Sequence, residues 1–140
     1  PLWVAGDAGR LRQVVDDLLA NAVKFSPLGG DVRVALRELR SGAVELTVTD
    51  DGIGTPAEER DRVFNRFFRA SNVRHQGIAG SGLGLSLARA IVHRHSGTIR
   101  LTGRRPKGTT VVIRLPVAGP PRSPAREHLS EAVTHPMSSA

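Results

Sequence analysis

Apolar and polar positions in this chain recur with two different periods, and the switches between them mark out the elements. Leu11, Val14, Val15, Leu18, Leu19 and Ala22 return at intervals of three and four, the spacing that lines one face of a helix. Asp7 stands just ahead of them as an N-cap, and Ser26-Pro27-Leu28-Gly29-Gly30 ends the pattern in a loop. The period then drops to two. Val32, Val34 and Leu36 alternate with Arg33, Ala35 and Arg37, and Val44, Leu46 and Val48 alternate with Glu45, Thr47 and Thr49. Arg40-Ser41-Gly42 between them predicts a hairpin with one apolar face.

The second strand runs into Asp50-Asp51-Gly52-Ile53-Gly54, a glycine-rich turn. A short helix is expected over Pro56 to Phe68, with proline in its first turn. A polar, glycine-bearing loop from Arg69 to Gly82 follows. A helix from about Leu83 to His95 carries Leu83, Leu87 and Ile91 on one face, with Gly97 just past its end. Two more strands, Thr98–Thr102 and Thr109–Leu115, close the pattern. The order is helix, two strands, helix, loop, helix, two strands. It predicts an α+β fold, a two-layer sandwich whose mostly antiparallel mixed sheet has about three helices on one face. The domain is expected over residues 1–116. Gly119-Pro120-Pro121-Arg122-Ser123-Pro124 then breaks all periodicity, and 117–140 is expected to be a flexible tail with at most a short helix near Glu127–Val133.

Composition narrows the classes. The 140 residues suit one domain. No apolar run is long enough to span a membrane, no signal-peptide pattern opens the chain, and a start at Pro1 is expected of a fragment or processed product. Cysteine is absent, which removes disulfides and thiolate metal sites. A net charge of +7 suits a polyanion or a phosphate ligand. With four Phe, one Trp and no Tyr, a base-stacking platform for nucleic acid is poorly supplied.

Three places carry candidate chemistry. Asp17, Asn21 and Lys24 share one edge of the first helix; alone, they also read as a solvated edge. Asp50 ends a strand beside glycines, where a carboxylate can accept from an exocyclic amine and the backbone can approach a flat ring; alone, this also reads as a strand-to-helix turn. Gly80-Ser81-Gly82-Leu83-Gly84-Leu85 opens a helix, where free amides and the dipole favour phosphate. It does not follow a strand and lacks a Gly-Lys-Ser/Thr ending, so it matches neither a dinucleotide fingerprint nor a P-loop.

Together these elements resemble the N, G1 and G2 boxes of the GHKL ATPases, which have the Bergerat ATP-binding fold. Arg12 to Pro27 resembles the N box of sensor histidine kinases, and Phe64-Asn65-Arg66-Phe67-Phe68-Arg69 resembles their F box. The resemblance covers about Val4 to Pro116. It implies Asn21 as ligand to a Mg²⁺ that bridges the ATP phosphates, Lys24 as a phosphate contact and Phe25 as an aromatic beside the nucleotide. It implies Asp50 as reader of the adenine amine, Gly52, Ile53 and Gly54 as the base pocket, and Gly80, Ser81, Gly82 and Gly84 around the triphosphate with Leu83 supporting base or sugar. Arg69–Gly82 would be a mobile ATP lid, and Arg69 and Arg74 cations near the γ-phosphate. Asp17 stands where many members have asparagine, and would act behind the metal or orient a water.

The resemblance further implies a two-component kinase domain that presents the γ-phosphate of Mg-ATP to a histidine, from which the phosphoryl group passes to a response-regulator aspartate. None of His75, His93, His95, His128 and His135 precedes an acidic residue as the acceptor does. The chain is therefore expected to bind ATP without phosphorylating itself, to be monomeric, and to belong to a homodimeric, inner-membrane bacterial parent with this domain in the cytoplasm. His93 and His95 read as helix-end cations. The competing readings are an anti-sigma-type serine kinase of the same fold, a non-catalytic nucleotide-binding module and, on charge alone, a nucleic-acid binder.

Overall fold

The computed structural model describes residues 1–120; the helix expected near Glu127–Val133 and most of the expected tail lie outside them. Helix α1 spans Ala8–Lys24, and Asp7 caps it by accepting from the Arg10 N–H at 3.0 Å. Val14, Leu18 and Ala22 form its buried stripe. Strands β1 (Val32–Leu39) and β2 (Ala43–Asp50) make the expected hairpin, and β3 (Thr98–Gly103) and β4 (Thr109–Pro116) make the second. All pairings in the four-stranded sheet are antiparallel, in the order β1-β2-β4-β3.

The core lies between the sheet and two long helices. Val48, Ile99, Val111 and Ile113 from the sheet meet Val14, Leu18 and Ala22 of α1 and Ala88, Ile91 and Val92 of α3 (Gly84–Arg94). Each fully buried aliphatic side chain contributes roughly 1.5–3 kcal/mol. The buried face of α3 is rotated from the expected one: Leu87 is 42% exposed, and Ala88 takes the inner position. Leu83, Leu85, Leu87, Ala88, Ile91 and Val92 wrap most of the way round this helix, so period alone does not choose the face.

Three further differences bear on the site. Pro56 to Phe68 forms two 3-10 turns, Ala57–Glu59 and Arg62–Phe64, in place of one helix. The loop that follows holds its own short helix, α2 (Ser71–His75). The apolar row of β1 is not covered: Val32, Val34 and Leu36 are 37%, 51% and 59% exposed at a free sheet edge.

The residue past α3 with left-handed backbone is Ser96, at φ 59°. Gly97 is needed for another reason: a Cβ there would stand 2.5 Å from the Arg114 carbonyl oxygen. His95 ties the end of α3 to the start of α1: the Asp7 N–H donates to Nε2 at 3.0 Å, and Nδ1 faces the Ile91 carbonyl at 2.7 Å.

On the sheet face away from the helices, Glu45 is buried between two guanidiniums. Arg37 Nη2 lies 2.6 Å from Oε1, and Arg114 Nε lies 2.8 Å from Oε2. Backbone pairing continues past Pro116: Val117 donates to Gly42 O at 3.0 Å and Ala118 to Trp3 O at 2.7 Å, where Trp3 and Ala118 form an antiparallel bridge.

Candidate functional site

A cavity of about 370 Å³ opens between the inner end of α1, the end of β2, α2 and the start of α3. Of the residues singled out in the sequence, Asn21, Lys24, Phe25, Asp50, Gly54, Arg69, Gly80, Ser81, Gly82 and Gly84 line it. Asn21 and Lys24 lie near the C-terminal end of α1, one turn apart. The Lys24 Nζ sits 5.3 Å from the centre of the Phe25 ring. A side chain on Gly80 would meet that ammonium at 2.6 Å, so the glycine lets lysine and backbone share the mouth of the cavity.

Asp50 is buried at the end of β2. Its Oδ1 accepts from the Gly52 N–H at 2.8 Å. Burial pushes its carboxyl above the usual aspartate range, against the backbone N–H groups of Gly52 and Thr109 and the positive charge of Arg104, which pull the other way. A buried carboxylate in an otherwise apolar recess (Leu18, Val48, Val63, Leu101 and Val111 also line it) can orient a ligand that brings a donor.

Gly52 and Ile53 serve the site from behind. A Cβ on Gly52 would run into the Phe25 carbonyl oxygen and the Asp50 carboxylate. The Ile53 N–H donates to Phe25 O at 2.9 Å, which fastens the glycine turn to the end of α1. Of Gly52, Ile53 and Gly54, only Gly54, with φ 71°, reaches the cavity wall. Its partner acid Asp51 is structural: it accepts from the Asp31 N–H at 3.0 Å and pairs with Arg104.

Helix α3 begins at Gly84 with no side-chain cap, so its first amides are free to meet an anion. Gly82 has φ 73°, and a Cβ there would stand 2.7 Å from the Phe67 carbonyl carbon. Leu83 does not line the cavity. The two arginines of the intervening loop separate: Arg69 lines the cavity, and Arg74 is exposed on α2 away from it. Asp17 also lies off the cavity, one turn before Asn21.

The loop between Phe68 and Gly82 is held at its root. The Phe67 N–H donates to Gly82 O at 3.0 Å, with Phe67 itself at φ 64°. Sequence reasoning missed the other two ties. Glu59, 8% exposed, accepts from the Ser71 hydroxyl at 2.9 Å and the Ser71 N–H at 3.3 Å. Asn72 donates from Nδ2 to Gly54 O at 2.7 Å and to Ile53 O at 3.4 Å. Both join residues 12 or more apart with no local spacing signal.

Among the described residues, no group of three or more His, Asp or Glu side chains could hold a metal ion. The Asn21 amide in the cavity wall offers one oxygen of a kind that suits a hard cation.

The sequence from residue 6 to 119 matches the family described as histidine kinase-, DNA gyrase B-, and HSP90-like ATPase. The chain is 38% identical over 124 residues to the sensor-like histidine kinase SenX3 of Mycolicibacterium smegmatis, covering 89% of this chain and 32% of that protein. It is 44% identical over 120 residues to the signal transduction histidine-protein kinase/phosphatase MprB of Mycolicibacterium vanbaalenii, covering 83% and 24%. The chain thus spans about a third or less of the length of these curated relatives. Among solved structures, a mycobacterial sensor histidine kinase MprB superposes with a TM-score of 0.77 at 41% identity, covering 84% of this chain and 78% of that one. Full-length ShkA in complex with AMPPNP superposes with a TM-score of 0.72 at 28% identity, covering 86% and 24%.

Proposed function

We propose, from the premise that this chain belongs to the histidine kinase-, DNA gyrase B-, and HSP90-like ATPase family, how its ATP-binding histidine-kinase domain uses the residues gathered above. One observation supports the reading most: Asn21, Lys24, Asp50, Gly80, Ser81, Gly82 and Gly84 line the same cavity. Asp50 accepts the adenine amine at the closed end. Lys24, the free amides at the start of α3 and Arg69 surround the phosphates and offset their charge. Asn21 would hold Mg²⁺, which would supply neutralisation of charge on the triphosphate. Asp17, one turn before Asn21, would act behind the metal.

The reaction is displacement at the γ-phosphorus. An imidazole nitrogen of the acceptor histidine forms the new P–N bond, the bond to the β–γ bridging oxygen breaks, and ADP leaves. The protein's part is positioning and charge stabilisation. The acceptor belongs to a helical hairpin of a longer protein, which passes the phosphoryl group to a response-regulator aspartate. No helix among the described residues is long and apolar enough to cross a membrane; the parent is a bacterial membrane sensor that keeps this domain on the cytoplasmic side, where ATP is.

Calorimetric titration with ATP, with and without Mg²⁺, tests the site. One-to-one binding that strengthens with Mg²⁺ and weakens in Asp50→Asn is expected. Binding of similar strength in Asp50→Asn would overturn the assignment of the base end. Transfer is tested by adding the acceptor hairpin of a relative with radiolabelled ATP: label should appear on the hairpin and not on this chain.

A further inference from the structure

We propose that Asn72 is a positioning residue that clasps the root of the ATP lid to the loop beside the base, so that order in the lid and occupancy of the base end rise together. The proposal rests on the nucleotide-site reading above.

Three ties run in series across the cavity wall. The Ile53 N–H holds the glycine turn to Phe25 at the end of α1. The Asn72 amide then donates to Gly54 O at 2.7 Å, with Ile53 O at 3.4 Å. Glu59 holds the neighbouring Ser71 by its hydroxyl and its N–H. The residues on either side of the clasp are wall residues: Gly54 and Thr55 from the glycine turn, Ala70 and Val73 from the lid root. Asn72 touches two carbonyls and is not itself part of the wall. Its amide is the side-chain hydrogen bond that joins these two stretches, so losing it frees the lid root from the turn that abuts Asp50 while leaving Asp50's own bond to Gly52 in place.

The test uses the 140-residue chain with Asn72→Ala and Asn72→Asp. Asp keeps the size of Asn but turns a carboxylate toward two carbonyl oxygens. ATP affinity is measured at neutral and mildly acidic pH, and trypsin cleavage after Arg74 is followed by mass. Asn72→Ala should bind ATP about three- to tenfold more weakly, the effect of one neutral hydrogen bond. Asn72→Asp should be worse than Ala at neutral pH and should recover toward or past it on acidification, because the protonated acid regains a donor. The ratio of the two variants cancels the titration of Asp50, which both retain. Both should be cut faster after Arg74 than wild type at neutral pH. Asn72→Asp matching wild type in affinity at neutral pH would reduce Asn72 to a space filler and overturn the clasp, as would wild-type cleavage rates in Asn72→Ala. If wild type binds no ATP, the functional reading falls, and the cleavage rates alone decide the clasp.

Discussion

Asp50 is under two opposed demands. Burial makes its ionised form costly, which raises its pKa, yet accepting from an amine calls for that ionised form. An acid whose folded pKa lies above its unfolded value binds its proton more tightly in the fold, so stability falls as pH rises from the unfolded value through the folded one. Asp50→Asn, which can still accept from the Gly52 N–H, is expected to keep or raise the melting temperature at neutral pH while ATP affinity drops roughly 10- to 100-fold, the range for a lost bond to a charged group. Wild-type affinity should begin to fall with acidification at a higher pH than an ordinary aspartate would give; the Asn variant should show no such step. Glu45 is the opposite case. Arg114 first, then Arg37, hold its carboxyl below the usual glutamate range, so its contribution is present above the unfolded value and is lost as pH falls through the folded one. Glu45→Gln should therefore lower the melting temperature at neutral pH, and the gap to wild type should close in acid. That Asn21, Lys24 and Asp50 share one cavity was legible because each sits in a short run whose order is itself informative. Glu59 and Asn72 were not, because what defines them is a partner far along the chain.

Among the elements, those with local causes were legible. Helix α1 starts where Asp7 can cap it and runs while its apolar stripe lasts; Asp7→Ala should cost about 1 kcal/mol of stability, read as a lower denaturation midpoint. Elements shaped by distant partners were misread. Val63, Phe64, Phe67 and Phe68 are spaced as on a helix, but Glu59 is drawn to Ser71 and Phe67 is turned to positive φ by its bond to Gly82, so the backbone breaks into 3-10 turns. The alternation in β1 correctly gave a strand but not its covering, since no described element packs fully over Val34 and Leu36. Gly82 is where two such constraints meet: positive φ, and no room for a Cβ against Phe67. Gly82→Ala should destabilise the chain by about 1–3 kcal/mol and weaken ATP binding, measured by denaturant unfolding and calorimetry. Binding equal to wild type would show that the lid root tolerates displacement.

At the scale of the whole molecule, one sheet and two long helices bury a single core, and the nucleotide cavity sits where α1, β2 and α3 converge. A light-scattering mass of one 15.0 kDa chain is expected; a doubled mass would point to pairing through the open edge of β1. The bridge between Trp3 and Ala118 has a mechanical consequence. Because the two segments pair antiparallel, Pro1 and Pro120 lie on the same side of the bridge. A pull applied between them peels the Ala118–Trp3 bond first and then loads Val117 on Gly42, one bond at a time, without shearing the sheet. Tension along that line would loosen the Trp3–Ala118 seam long before it reached the cavity.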